Sequence, residues 1–191
     1  DEALFFVRQK MVYIFLATGF EEVEAIAPID VLRRAGIDVQ LISVTGEKVV
    51  KGSHGIEVIT DSLFEQTDFS DGELLILPGG MPGTLNLEAH ADLAELLRFY
   101  FQKGKMLAAI CAAPMVLGKL GLLNGQKATC YPSFEEYLLG AEFSEERVVV
   151  SNNVITSRGA GTAMEFGLAL VEKLKGAEEA KKLQEGMLCM L

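Results

Sequence analysis

Apolar residues along this chain fall into two alternating patterns. Val12-Tyr13-Ile14-Phe15-Leu16-Ala17 is a continuous apolar run ending at Thr18-Gly19, as expected for a parallel strand covered on both faces. Val23, Ile26, Ala27, Val31, Leu32 and Ala35 then recur at helical spacing and Gly36 supplies a stop, which predicts a helix. Pro28 must sit in the first turn of that helix or kink it. Val39 to Val44 predicts a second strand, and the polar stretch from Gly46 to Ile59 reads as a hairpin. Further along come a strand at Leu74 to Leu77 ending in Pro78-Gly79-Gly80, a helix from Ala91 to Gln102, a strand from Met106 to Ile110 and a short one at Ala128-Thr129-Cys130. Val148 to Val150 and Val154 to Thr156 predict a hairpin across Asn152-Asn153, followed by a helix from Thr162 to Leu174 and a charged, solvated helical stretch from Ala177 to Glu185. Strand and helix alternate throughout. This predicts an α/β fold, a mostly parallel central sheet between helices, with a ligand crevice beyond the carboxyl ends of the strands.

Composition narrows the function. With 191 residues, half of them hydrophobic, the chain suits a single domain. That domain is assigned to residues 11–191, and Asp1 to Lys10, which precede Met11, read as an upstream or non-native extension. Seventeen basic against 27 acidic residues leave a net charge of −10. This excludes a phosphate-tracking nucleic-acid surface and binding to an anionic membrane, and leaves small molecules or proteins as partners. Three cysteines, no signal-peptide pattern and no apolar run near the ~20 residues of a membrane span predict a reducing, cytoplasmic location.

Candidate chemistry centres on Cys111. In Leu107-Ala108-Ala109-Ile110-Cys111-Ala112-Ala113-Pro114 an apolar strand stops at a thiol flanked by small residues, the pattern of a nucleophile elbow on a strand-to-helix turn. A helix N-terminus after the elbow favours a thiolate, so an acidic thiol is expected. The alternative is a buried structural cysteine. Glu21, Glu22 and Glu24 follow the first strand and Gly79-Gly80 follows the Leu74 strand, so all reach the same sheet edge as Cys111. Gly80 and Ala112 offer backbone N–H groups to an oxyanion. Glu21 and Glu22 read as residues favouring a helix dipole, whereas Glu24 is expected to keep its proton beside a thiolate and to titrate with it as one unit. No glycine fingerprint for a dinucleotide or a nucleoside triphosphate follows the first strand, and no cofactor or metal is expected. His54 and His90 read as solvated, which excludes a Cys-His protease.

Four motifs, Ala17-Thr18-Gly19-Phe20-Glu21-Glu22-Val23-Glu24, Leu77-Pro78-Gly79-Gly80, Ala108 to Pro114 and Thr156-Ser157-Arg158-Gly159-Ala160-Gly161-Thr162, together resemble the ThiJ/PfpI superfamily. The likeness runs from about Met11 to the C-terminus and is strongest to the branch of ThiJ/YajL and the Parkinsonism-associated deglycase. The protease-like branch carries a histidine directly after the nucleophile, where this chain has Ala112. The resemblance implies a flavodoxin-like three-layer sandwich, usually a homodimer, with a reactive cysteine at Cys111. It also implies a glutamate at Glu24 bonded to the sulfur and backbone donors at Gly80 and Ala112. Tyr131 occupies a position where several relatives have a histidine, and tyrosine is a poor base at neutral pH. Gly79, Tyr131 and Arg158, together with Arg34 or its neighbour Arg33, are the further pocket residues implied, the arginines near a dimer interface.

Two functions follow as expectations. One is a glyoxalase or deglycase acting without cofactor on methylglyoxal, glyoxal or their adducts. The other is a non-catalytic redox sensor or chaperone in which Cys111 is oxidised, with Cys130 as a resolving partner or core residue and Cys189 in the C-terminus. A thiamine-biosynthesis role is suggested by the superfamily's naming alone and has no phosphate-binding feature behind it.

Overall fold

The computed structural model describes residues 11–190; the reading of residues 1–10 as an extension lies outside them. In chain order the elements are β1 Met11–Leu16, α1 Glu22–Arg34, β2 Asp38–Ser43, β3 Val49–Lys51, β4 Glu57–Ile59, β5 Ser62–Leu63 and β6 Gly72–Leu77. They continue with α2 Gly83–Glu88, α3 Ala91–Gln102, β7 Met106–Ile110, α4 Pro114–Lys119 and β8 Lys127–Ala128. The chain closes with β9 Glu142–Phe143, β10 Val148–Ser151, β11 Val154–Ser157, α5 Ala163–Lys175 and α6 Ala177–Gly186. The main sheet has seven strands in the order β10-β11-β7-β6-β1-β2-β5. Its pairings are parallel except β10 with β11.

The apolar runs form strands because each must fill two cores at once. Val12, Ile14 and Leu16 enter one core with Ile29, Val31 and Leu32 of α1 and Phe166, Leu170 and Val171 of α5. The alternate residues Tyr13 and Phe15 enter the other, with Leu93, Leu97 and Tyr100 of α3 and Val116 and Leu117 of α4. β7 divides the same way, Ala108 and Ile110 to the first core and Leu107 and Ala109 to the second. Phe166 is fully buried in the first. Phe166→Ala is therefore expected to lower stability by about 3–5 kcal/mol, read from urea denaturation.

The expected elements are present, with differences that have local causes. Pro28 lies in the interior of α1, and the helix runs unbroken past it to Arg34. Packing supports that segment: a Cβ on Gly167 of α5 would stand 3.0 Å from Val31 Cβ and 3.2 Å from Pro28 Cα. The short strand predicted at Ala128 to Cys130 is β8, Lys127–Ala128 only. Thr129 N–H instead donates to Thr156 Oγ1, 3.0 Å away, so a side chain takes the place of a ladder partner. The hairpin expected across Gly46 to Ile59 is β3 with β4, antiparallel. α2 is not among the expected elements, and Pro82 serves as its N-cap.

Strand order reverses between β1 and β6, since β2 lies on one side of this pair and β7 on the other. A crevice opens at the carboxyl ends of strands at such a switch point. The loops after β1, β6 and β7 all enter it.

Candidate active site

Cys111 is the first residue after β7 and has φ 65°. A non-glycine residue in that left-handed region costs on the order of 1–3 kcal/mol and persists only where its surroundings hold it. Here they hold both sides: Cys111 N–H donates to the Ser157 carbonyl at 2.9 Å, and the Cys111 carbonyl accepts from Tyr131 N–H at 2.8 Å. The elbow predicted from the flanking alanines is thus present, and its thiol is part-exposed rather than sealed in the core.

Glu24 stands in the first turn of α1 with 1% of its surface exposed. Its carboxyl hydrogen-bonds the Cys111 side chain, and Oε2 accepts the Gly79 N–H at 2.9 Å. Gly79 has no room for a side chain. A Cβ there would stand 2.5 Å from Glu24 Oε2, 2.7 Å from Cys111 Cβ and 2.8 Å from the Ile110 carbonyl oxygen. Three loops therefore meet around one missing Cβ. Gly79 is consequently a donor to Glu24, not to an oxyanion. Gly80 has φ 92°, and a Cβ on it would lie 2.5 Å from Glu21 N.

Burial raises the Glu24 carboxyl to about 7, against the opposing hydrogen bond from Cys111. Burial also raises the Cys111 thiol, and the neighbouring Glu24 charge and hydrogen bond raise it further, while the Ala112 N–H opposes them. Burial raises both groups and their contact couples them, so the carboxyl and the thiol titrate as one unit. The sulfur sits in a desolvated place beside an acid, and α4, only Pro114–Lys119, supplies little dipole to offset both. With one proton between them the pair is a thiol donating to a carboxylate or a carboxylic acid donating to a thiolate. That is a nucleophile in contact with a general base.

Tyr131 is half exposed beside this pair, with its ring edge-on to Phe134 and near Gly159. Arg158 follows β11 and its Nε donates to the Cys130 carbonyl at 3.1 Å, so it lies on the same edge. Arg34 does not. It ends α1, the helix that Glu24 begins, and its Nε bonds Asp30 Oδ2 at 2.6 Å on an exposed face. Arg33 donates to the Val39 carbonyl in β2. A helix rises about 1.5 Å per residue, so both arginines lie roughly 15 Å from Glu24 of the same chain.

Comparison with known proteins places this geometry in a family. The model of the DJ-1/PfpI family matches residues 10–173. The chain belongs to the DJ-1/PfpI family. Among curated DJ-1/PfpI relatives, protein dj-1beta of Drosophila melanogaster is 38% identical over 94% of this chain and 97% of its own length. A Caenorhabditis elegans relative named as a glutathione-independent glyoxalase is 34% identical, over 85% of this chain and 87% of its own. DJ-1 homolog B of Arabidopsis thaliana is 44% identical, but the chain spans only 40% of that protein's length. An oxidised DJ-1 of Toxoplasma gondii superposes with a TM-score of 0.90 at 39% identity, over 94% of this chain and 98% of that one.

In this DJ-1/PfpI chain two glutamates have structural roles that sequence reasoning missed. Glu21 caps α1 by accepting the Glu24 N–H at 2.8 Å, which fixes the backbone that aims Glu24 at the sulfur. Glu22, 5% exposed, reaches the turn between β3 and β4, where Oε1 accepts His54 N–H at 2.8 Å and Ile56 N–H at 3.3 Å. Burial pushes Glu22 up, yet these hydrogen bonds and that of the His54 ring outweigh it and hold it below its ordinary value. His90 caps α3, accepting Leu93 N–H at 3.1 Å, so it too is committed to structure. No spacing signal marks Glu22, because its partners lie about thirty residues away.

Proposed function

We propose that this chain is a cofactor-independent glyoxalase-type enzyme that converts methylglyoxal to lactate, and that glycated amines or thiols are released at the same site. The Glu24 carboxyl set against the Cys111 thiol at the switch point supports this reading more than any other feature. The sulfur attacks the aldehyde carbon while Glu24 takes the thiol proton. The N–H groups of Gly80 and Ala112 hold the developing oxyanion, which then receives that proton to give a hemithioacetal. Glu24 next removes the C–H proton from the former aldehyde carbon, the electron pair moves into an enediol, and the proton returns to the neighbouring carbon. The product is a thioester of a 2-hydroxy acid. Water cleaves it, releasing lactate and restoring the thiol, so one water is consumed and no external oxidant is needed. The relative named as a glyoxalase supports the reaction class.

The activity should follow the ionisation of Glu24. Because Glu24 is raised to about 7 and acts as base, kcat/KM is expected to climb with pH from 5 and level off above about 7. Glu24→Gln should lose that limb and at least about 10²-fold in rate, measured as lactate formed from methylglyoxal. Stability has the opposite sign. A carboxyl whose folded value is raised from 4.5 to about 7 stabilises below pH 4.5, and its contribution is lost as pH rises through 7. Wild type should therefore lose stability relative to Glu24→Gln between those values, in urea denaturation at fixed pH.

A second reading, oxidation of Cys111 as a signal, is favoured by the oxidised state of the Toxoplasma gondii relative. A protonated Glu24 and the Ala112 N–H would bond a Cys111 sulfinate. Intact mass after mild peroxide should show a two-oxygen adduct on Cys111, and oxidation of the other thiols alone would reject it. We further propose a homodimer. Val23 and Ile26, 51% and 42% exposed, lie three residues apart on one face of α1 and suit a partner copy. Light scattering should then return twice the chain mass of 20.7 kDa.

A further inference from the structure

We propose that Glu21, Glu22 and His54 form a site for one divalent cation of the zinc class, beside the Cys111 crevice but apart from the chemistry above. The sequence reading gave the two glutamates to a helix dipole and the histidine to solvent. The fold instead brings one donor atom from each within 4.8 Å of the others. His54 Nδ1 stands 2.9 Å from Glu22 Oε2 and 3.5 Å from Glu21 Oε1. Zinc binds nitrogen and oxygen at about 2.0–2.2 Å, so two ligands on one ion lie about 2.9 Å apart at a right angle and about 3.4 Å apart at the tetrahedral angle. The two separations from His54 Nδ1 match these edges within about 0.1 Å, and all three donor atoms lie within 4.8 Å of one another, so the ligands already bracket a site for an ion.

The donors are also held from behind. Glu21 spends Oε2 on the Glu24 N–H, which leaves Oε1 toward His54. Glu22 Oε1 accepts the His54 and Ile56 N–H groups, while Oε2 accepts from Ser53 Oγ at 3.3 Å and is hydrogen-bonded with His54 Nδ1 at 2.9 Å, the contact that an ion would replace. Outer hydrogen bonds of this kind orient ligands before the ion arrives. The N-terminus of α1 opposes a cation with roughly half a unit of positive charge, but two carboxylates outweigh it. The histidine side chain is 69% exposed, so the remaining coordination positions face water. Oxygen and imidazole donors with open positions suit zinc over calcium or magnesium, which prefer all-oxygen shells.

The test is a zinc titration with a competing chromophoric chelator. It uses protein in which the accessible thiols are removed by Cys111→Ser and Cys189→Ser, so sulfur does not report. One equivalent of zinc is expected, and His54→Ala and Glu21→Gln in that background should each weaken it about tenfold or more. Both variants should fold, since His54 is exposed and the amide oxygen of glutamine still accepts the Glu24 N–H. Absence of a bound equivalent in the parent, or unchanged affinity in either variant, overturns the site. Because lactate formation does not enter this measurement, its outcome is independent of the glyoxalase reading.

Discussion

Cys111→Ser is expected to lower kcat/KM for lactate formation from methylglyoxal by about 10³-fold or more, with the fold retained. The hydroxyl keeps a donor for Glu24 but is a far weaker nucleophile than sulfur, and a carboxyl with a value of about 7 is too weak a base to ionise it. The elbow itself should survive. Its backbone is held by the Ser157 carbonyl and Tyr131 N–H, neither of which touches the side chain. Circular dichroism and urea denaturation should thus match wild type while the rate collapses. A serine variant that forms lactate at the wild-type rate would remove Cys111 from the reaction, and with it the mechanism.

Gly79→Ala should damage stability and activity together. The new methyl would stand within 2.8 Å of a carboxyl oxygen of α1 and of a Cβ and a main-chain carbonyl of the elbow after β7. Two of these neighbours are backbone or next to it, and the third is held by the Gly79 N–H itself. None can yield without moving the elbow or α1. Overpacking of this kind costs about 1–3 kcal/mol. A displacement near 1 Å between nucleophile and base costs about 10²-fold in rate. Urea denaturation and kcat/KM report the two effects separately. Near-wild-type values in both would mean that the Glu24, Gly79 and Cys111 segments are less closely packed than described.

These two substitutions differ in how visible their reasons were beforehand. A thiol among alanines fits core packing as well as an elbow, and Cys111 became legible only because Glu24 and Gly79-Gly80 fall on the same sheet edge and the motif order marks them as its companions. Gly79 was legible only as half of a glycine pair. The clash that forbids a side chain there involves Glu24 and Cys111, 55 and 32 residues distant in the chain, and sequence spacing does not encode such distances.

The sequence by itself determined the α/β architecture and the strand edge on which the chemistry sits. Buried parallel strands need unbroken apolar runs, amphipathic helices need periodic ones, and the loops after the strands then converge without further information. It did not determine how far Glu24 and Cys111 depart from their ordinary ionisation, because that depends on how much water each loses on folding. Nor did it separate Arg34, at the far end of α1, from Arg158 at the crevice, or join Glu22 to the turn that carries His54. Desolvation and contacts between distant segments exist only once the chain has packed, so the tertiary structure alone decided these points.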